Sequence, residues 1–182
     1  MKRVLIPLAP GFEEIEALAV VDILRRAGAE VVTAGTVDGP IEGRNAIKVL
    51  ADKDLDEALT EGYDMIVLPG GAGGTERLKE DARIIKAVQG FNAGGKIVAA
   101  ICAAPTVLAS AGLTEDRRVT SHPGVRGELK AKKISPERVV VDGNIITSQG
   151  PGTALEFAFC LVKILFGEKK AGEVNAGVLA RL

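Results

Sequence analysis

The chain has no tryptophan, one histidine and two cysteines, and only 3% of its residues are aromatic. A single imidazole cannot build a histidine-rich zinc or iron centre. Cys102 and Cys160 lie too far apart for a CxxC metal pair and do not form a disulfide framework. Charge of one sign is also missing: 23 basic and 24 acidic residues are intermixed for a net charge of −1, so there is no basic stripe for nucleic acid. No apolar run is long enough to span a membrane. The start of the chain faintly resembles a signal peptide, but Pro7, Pro10, Glu13 and Glu14 end its apolar stretch too early. Repeats, low-complexity tracts and interdomain linkers are lacking as well. What is present is 182 residues at 47% hydrophobic content, enough to bury a full core as one domain over 1–182. The expectation is a soluble cytoplasmic protein with no metal, no cofactor and no nucleic-acid or membrane partner.

Strand and helix signals alternate along this domain. Strands are predicted at Val4–Leu8, Glu30–Ala34, Tyr63–Leu68 and Lys96–Ile101, with helices at Glu14–Ala27, Ala82–Ala93, Ala103–Ala111 and Leu155–Phe166. Ala46–Ala51 reads as a short strand in a peripheral ribbon with the 36–42 region. Val139–Thr147 reads as a hairpin on an Asp-Gly turn, and a short tail helix fits Glu173–Leu179. Such βαβ alternation predicts a mostly parallel sheet with helices on both faces. The first helix is apolar in nearly every direction between Ile15 and Leu24, which asks for partners on more than one side. An isologous dimer would cover that surface, and so would deep burial between sheet and tail.

Cys102 sits where the apolar Lys96–Ile101 strand ends and the next helix begins. A nucleophile on so sharp a turn projects above the sheet, and free N–H groups of the new helix favour its thiolate. The alternative is an inert core cysteine; Cys160, among Phe157, Phe159 and Leu161, reads that way. Glu16 is the anomaly of the first helix, projecting beside Val20 and Ile23. A carboxyl desolvated there would have its pKa raised and could exchange a proton with the thiol. Glu13 and Glu14 read as solvated first-turn acids, although spacing alone does not choose among the three glutamates. Leu68–Gly74 is a glycine-rich segment directly after a strand. No Gly-Lys-Ser/Thr follows it, so an oxyanion hole made by the Gly71 and Ala103 N–H groups is a better use than a phosphate cradle. His122, before Pro123, is the only imidazole available to orient or deprotonate a thiol.

Five blocks together, Ala9–Glu16, Val67–Gly71, Ala99–Pro105, Thr120–Pro123 and Thr147–Thr153, resemble the deglycase branch of the ThiJ/PfpI family, in order and over nearly the whole chain. The resemblance implies a flavodoxin-like three-layer sandwich of the class I glutamine amidotransferase-like kind, a homodimer, and a nucleophile-elbow cysteine paired with a protonated glutamate. It places these roles at Cys102 and Glu16, puts the histidine at His122, and sets Gly70, Arg26 and Arg44 near the site or dimer interface. One departure is Ala103, where protease-like members carry a histidine after the cysteine. The activity implied is cofactor-independent conversion of a small aldehyde or dicarbonyl, or of an early glycation adduct on protein, to lactate or another 2-hydroxy acid. The alternatives are an oxidative-stress sensor or chaperone acting through Cys102 oxidation, and a cysteine peptidase or amidase.

Overall fold

The computed structural model describes residues 1–182. In chain order its elements are β1 Arg3–Leu8, α1 Glu14–Arg26, β2 Glu30–Gly35, β3 Pro40–Glu42, β4 Lys48–Leu50, β5 Lys53–Asp54, α2 Leu55–Ala58, β6 Met65–Leu68, α3 Ala72–Glu80, α4 Ala82–Ala93, β7 Ile97–Ile101, α5 Pro105–Ser110, β8 Arg118–Val119, β9 Lys133–Ile134, β10 Val139–Asp142, β11 Ile145–Ser148, α6 Ala154–Phe166 and α7 Glu168–Val178. The central sheet runs β10-β11-β7-β6-β1-β2-β5, parallel except for the β10–β11 hairpin. Side chains alternate across it as a strand requires. Val4, Ile6, Val67 and Ala99 join α1, α6 and α7 in one core. Leu5, Ile66, Val98 and Ala100 join α2 through α5 in the other. This is the predicted three-layer sandwich, with helices on both faces and a flavodoxin-like strand order.

Strand order reverses at β1, whose successor β2 lies to one side while β6 lies to the other. The β1–β2 ladder runs through to Leu8 opposite Gly35, but the β1–β6 ladder stops at Leu5 opposite Ile66. Pro7 explains the difference. The Lys2 and Leu8 carbonyls accept from Glu30 and Thr36 on the β2 side, whereas the Arg3 carbonyl accepts from Asp64 on the β6 side. By alternation Pro7 faces β6, and it has no N–H to give. The two strands therefore lose their pairing toward their carboxyl ends, where an open parallel sheet binds its ligands.

The structure also corrects the expected elements. The helix after Cys102 begins at Pro105, two residues later than predicted, and is only six residues long. Ala72–Glu80 forms a helix that the glycine-rich sequence hides, and the tail helix starts at Glu168. On α1, Val20, Ile23 and Leu24 are buried within the chain, leaving Ile15 and Leu18 as its exposed large apolar residues. The apolar girth of that helix is thus mostly explained by packing against the sheet and α6. No helix is long and apolar enough to cross a membrane.

Candidate active site

Cys102 leaves β7 with φ of +64°, a left-handed conformation that costs a non-glycine residue about 1 kcal/mol. It is held there from both sides, since its N–H donates to Ser148 O at 3.0 Å and its carbonyl accepts from His122 N at 2.8 Å. The strain turns the side chain away from the strand direction, as at other nucleophile elbows. The thiol lies in a recess at 7% exposure. The N–H groups of Gly71 and Ala103 lie close enough to its sulfur to favour the thiolate. Neither donates to a backbone carbonyl. The predicted oxyanion donors are thus brought together at the sulfur, but they come from the β6 and β7 turns. Helix α5 starts too late and is too short to supply them.

Glu16, on the first turn of α1, is 1% exposed. Its Oε2 accepts the Gly70 N–H at 2.8 Å, while Oε1 has no N–H or O–H partner. Desolvation pushes its carboxyl up to about 7, against the pull of the Cys102 and Gly70 hydrogen bonds; the Glu13 charge adds to the rise and the Arg44 charge opposes it. Burial pushes the Cys102 thiol up as well, to about 12, followed by the charge and hydrogen bond of Glu16. This corrects the expectation of an intrinsically acidic thiol. The two groups titrate as a coupled pair that loses its first proton near neutrality and above that holds one proton between them. With that proton on Glu16, the sulfur is a thiolate facing three donors: the carboxyl O–H and the N–H groups of Gly71 and Ala103.

Close backbone approach makes the pair possible. A Cβ on Gly70 would stand 2.6 Å from both Cys102 Cβ and Glu16 Oε2. Gly71 has φ of +89°, and a Cβ there would meet the Gly11 carbonyl at 2.3 Å, so neither position accepts a side chain without moving the site. The acids beside Glu16 are not the solvated residues expected from sequence. Both are 3% exposed. Glu13 caps α1 by accepting the Glu16 N–H at 2.8 Å. Glu14 accepts from the Asn45 backbone N–H at 2.7 Å and from Asn45 Nδ2 at 2.9 Å. Their partners lie on a distant turn or in a cap, and nothing in the local sequence announces them. Ser148, the acceptor for the Cys102 N–H, was likewise invisible before the sheet was assembled.

The remaining site expectations divide. Arg44 is exposed but close enough for its charge to act on Glu16. Arg26 sits at the other end of α1, paired with Asp22 at 3.0 Å. Ten residues of helix, about 15 Å, separate it from Glu16 within the same chain. The His122 imidazole is exposed at the rim, and its Nδ1 accepts the Gly124 N–H at 3.1 Å. The neutral ring therefore carries its proton on Nε2 and is a donor, and it makes no hydrogen bond to Cys102. Its backbone N–H holds the elbow instead. Cys160 is half-buried rather than buried, and desolvation raises its thiol. No three metal-ligating side chains converge.

Comparison with known proteins places these features in company. The model of the DJ-1/PfpI family matches residues 2–164. The Drosophila melanogaster protein dj-1beta is 40% identical over 181 residues, covering 98% of this chain and 97% of that protein. A Caenorhabditis elegans protein named glutathione-independent glyoxalase DJR-1.2 is 35% identical over 176 residues, covering 95% and 94%. The solved structure of oxidized Toxoplasma gondii DJ-1 superposes with a TM-score of 0.95 at 38% identity, covering 98% of each chain.

Proposed function

The chain belongs to the DJ-1/PfpI family, and from that premise we propose that it is a cofactor-independent, cysteine-dependent enzyme acting on reactive dicarbonyls such as methylglyoxal or on their early adducts with protein. The observation that carries this reading is the buried Glu16 carboxyl, raised to about 7 beside the Cys102 thiol. A group poised near neutrality both accepts and returns a proton. The glyoxalase name of the nematode relative supports the substrate class.

In the proposed reaction Glu16 takes the thiol proton as Cys102 Sγ attacks the aldehyde carbon of methylglyoxal, forming a C–S bond. The carbonyl oxygen becomes an oxyanion within reach of the Gly71 and Ala103 N–H groups and is protonated to a hemithioacetal. The former aldehyde C–H proton then leaves, giving an enediol, and a proton returns at the neighbouring carbon. The product is a lactoyl thioester, which water cleaves to lactate and free thiol. The net change is addition of one water, so no oxidant or reductant is required. Glu16 carries the protons, and His122 Nε2 is available to donate to a substrate oxygen at the rim. An adduct on an amine would enter by the same attack and leave with the amine released.

The reading is tested by turnover of methylglyoxal without glutathione, with lactate as the measured product. Wild type should be active and Cys102→Ser should lose at least about a thousandfold. Lactate formation that survives in Cys102→Ser would remove the cysteine from the mechanism. We further propose that the enzyme works as a homodimer through the exposed Ile15 and Leu18 face of α1. That face is continuous with none of the cores within the chain, and a second copy is the isologous way to cover it.

A further inference from the structure

Glu14 has a role that the proton transfer above does not use. It is a buried carboxylate on the first turn of α1, yet all its partners lie on the turn between β3 and β4. Oε1 accepts the Asn45 N–H at 2.7 Å and the Ile47 N–H at 3.4 Å, and Oε2 accepts from Asn45 Nδ2 at 2.9 Å. The fit is close enough that a Cβ on Gly43 would lie 2.4 Å from Glu14 Oε1. Two backbone hydrogen bonds lie beside this clamp. Arg44 N donates to Phe12 O at 2.8 Å, and Gly11 N donates to Glu42 O at 2.8 Å. An exposed two-stranded hairpin, which would be marginal alone, is thereby seated on the β1–α1 connection. At its tip is Arg44, which forms no salt bridge or side-chain hydrogen bond.

We infer that Glu14 is a positioning residue for Arg44: by seating the β3–β4 turn on the start of α1, it fixes an unpaired cation beside the Glu16–Cys102 pair. The charged and titratable groups acting on Glu16 are Cys102 at the end of β7, Glu13 at the start of its own helix, and Arg44 from this turn. Arg44 is the one whose charge favours the carboxylate, and it counters Glu13. Its effect depends on where the turn is held. Glu14 and Arg44 thus set the pH at which Glu16 becomes able to accept the thiol proton. The inference rests on the Glu16–Cys102 pair but not on the identity of the substrate.

The sign of the effect separates positioning from direct electrostatics. Removing the Glu14 charge would by itself lower the Glu16 pKa, because a negative neighbour has gone. Releasing Arg44 would raise it. The readout is the rate of Cys102 carbamidomethylation by iodoacetamide against pH in low salt, followed by peptide mapping, which needs no substrate. The inflection of the wild-type profile near neutrality reports the first proton to leave the pair, the one whose loss lets Glu16 accept the thiol proton. Arg44→Ala should move it up by about half a pH unit, less at high salt. Glu14→Ala should move it in the same direction, and Glu14→Ala with Arg44→Ala should move it no further than Arg44→Ala alone. Gly43→Ala displaces the turn without deleting a charge, and it should also move the inflection up; it serves if Glu14→Ala does not fold. A downward shift in Glu14→Ala, an additive shift in the double variant, or an unmoved inflection in Gly43→Ala overturns the inference. Failure of methylglyoxal turnover in wild type would overturn the proposed substrate while leaving these profiles interpretable.

Discussion

At the scale of single residues, the site consists of groups held where they are least comfortable. Glu16 is the clearest. Its folded pKa lies above that of an exposed carboxyl, so the folded state binds its proton more tightly than the unfolded state does. Stability contributed by that proton is complete below about pH 4.5 and is lost as pH rises through about 7. Glu16→Gln keeps an oxygen for the Gly70 N–H and cannot ionise. It should be more stable than wild type at pH 8, by up to about 3 kcal/mol, and no more stable at pH 4. Its methylglyoxal turnover should fall about a hundredfold or more. Calorimetry at the two pH values with lactate assays checks both halves; unchanged turnover would send the search for the proton carrier to His122 or water. The cysteines make a second case. Cys160 is the more exposed, so accessibility alone favours it. Cys102 should nevertheless be alkylated first at neutral pH, because only there is a buried base, Glu16, placed to take the thiol proton while the Gly71 and Ala103 N–H groups favour the sulfur anion. Peptide mapping after a brief iodoacetamide pulse decides, and label on Cys160 first would contradict it.

Among the elements, the β1–β6 crevice depends on one missing donor. Pro7→Val restores an N–H facing β6 at similar volume. It should extend that ladder, slow amide exchange at the ends of β1 and β6, and lower turnover by about an order of magnitude through misplacement of Gly70 and Gly71. Exchange measured by mass spectrometry beside kinetics checks the coupling; unchanged protection with unchanged turnover would show that the crevice does not depend on Pro7. The central strands, α1, α4, α6 and the β10–β11 hairpin were legible because their period and end signals agree with their tertiary setting. Helix α3 was not. Gly73 and Gly74 argue against a helix locally, and what overrides them is close packing: a Cβ on Gly74 would lie 2.7 Å from Phe12 N. Gly74 thus serves contact with the β1–α1 connection. Cys102 and Glu16 could be found from position and anomaly. The burial of Glu13 and Glu14 could not, because it is created by a hairpin tip about thirty positions away and by a cap.

For the whole molecule, the open question that sequence raised is what covers α1. Val20 and Leu24 now belong to the core within the chain, so changing them tests folding. Leu18→Glu and Ile15→Glu test association, since both side chains stand outside at 37% and 57% exposure. Wild type should scatter light as a dimer at micromolar concentration, and Leu18→Glu should be a folded monomer. A monomeric wild type would refute the assembly proposed for it. The left-handed backbone at residue 102 carries a different implication. Cys102→Gly would remove the conformational penalty while deleting the nucleophile, just as Glu16→Gln removes a buried charge while deleting the proton carrier. Laboratory evolution for heat resistance, with no demand on turnover, should therefore accept losses at 102 and 16 early, and its survivors would be sturdy and inert. Catalytic capacity in this fold is something the stability of the rest of the chain must continuously tolerate.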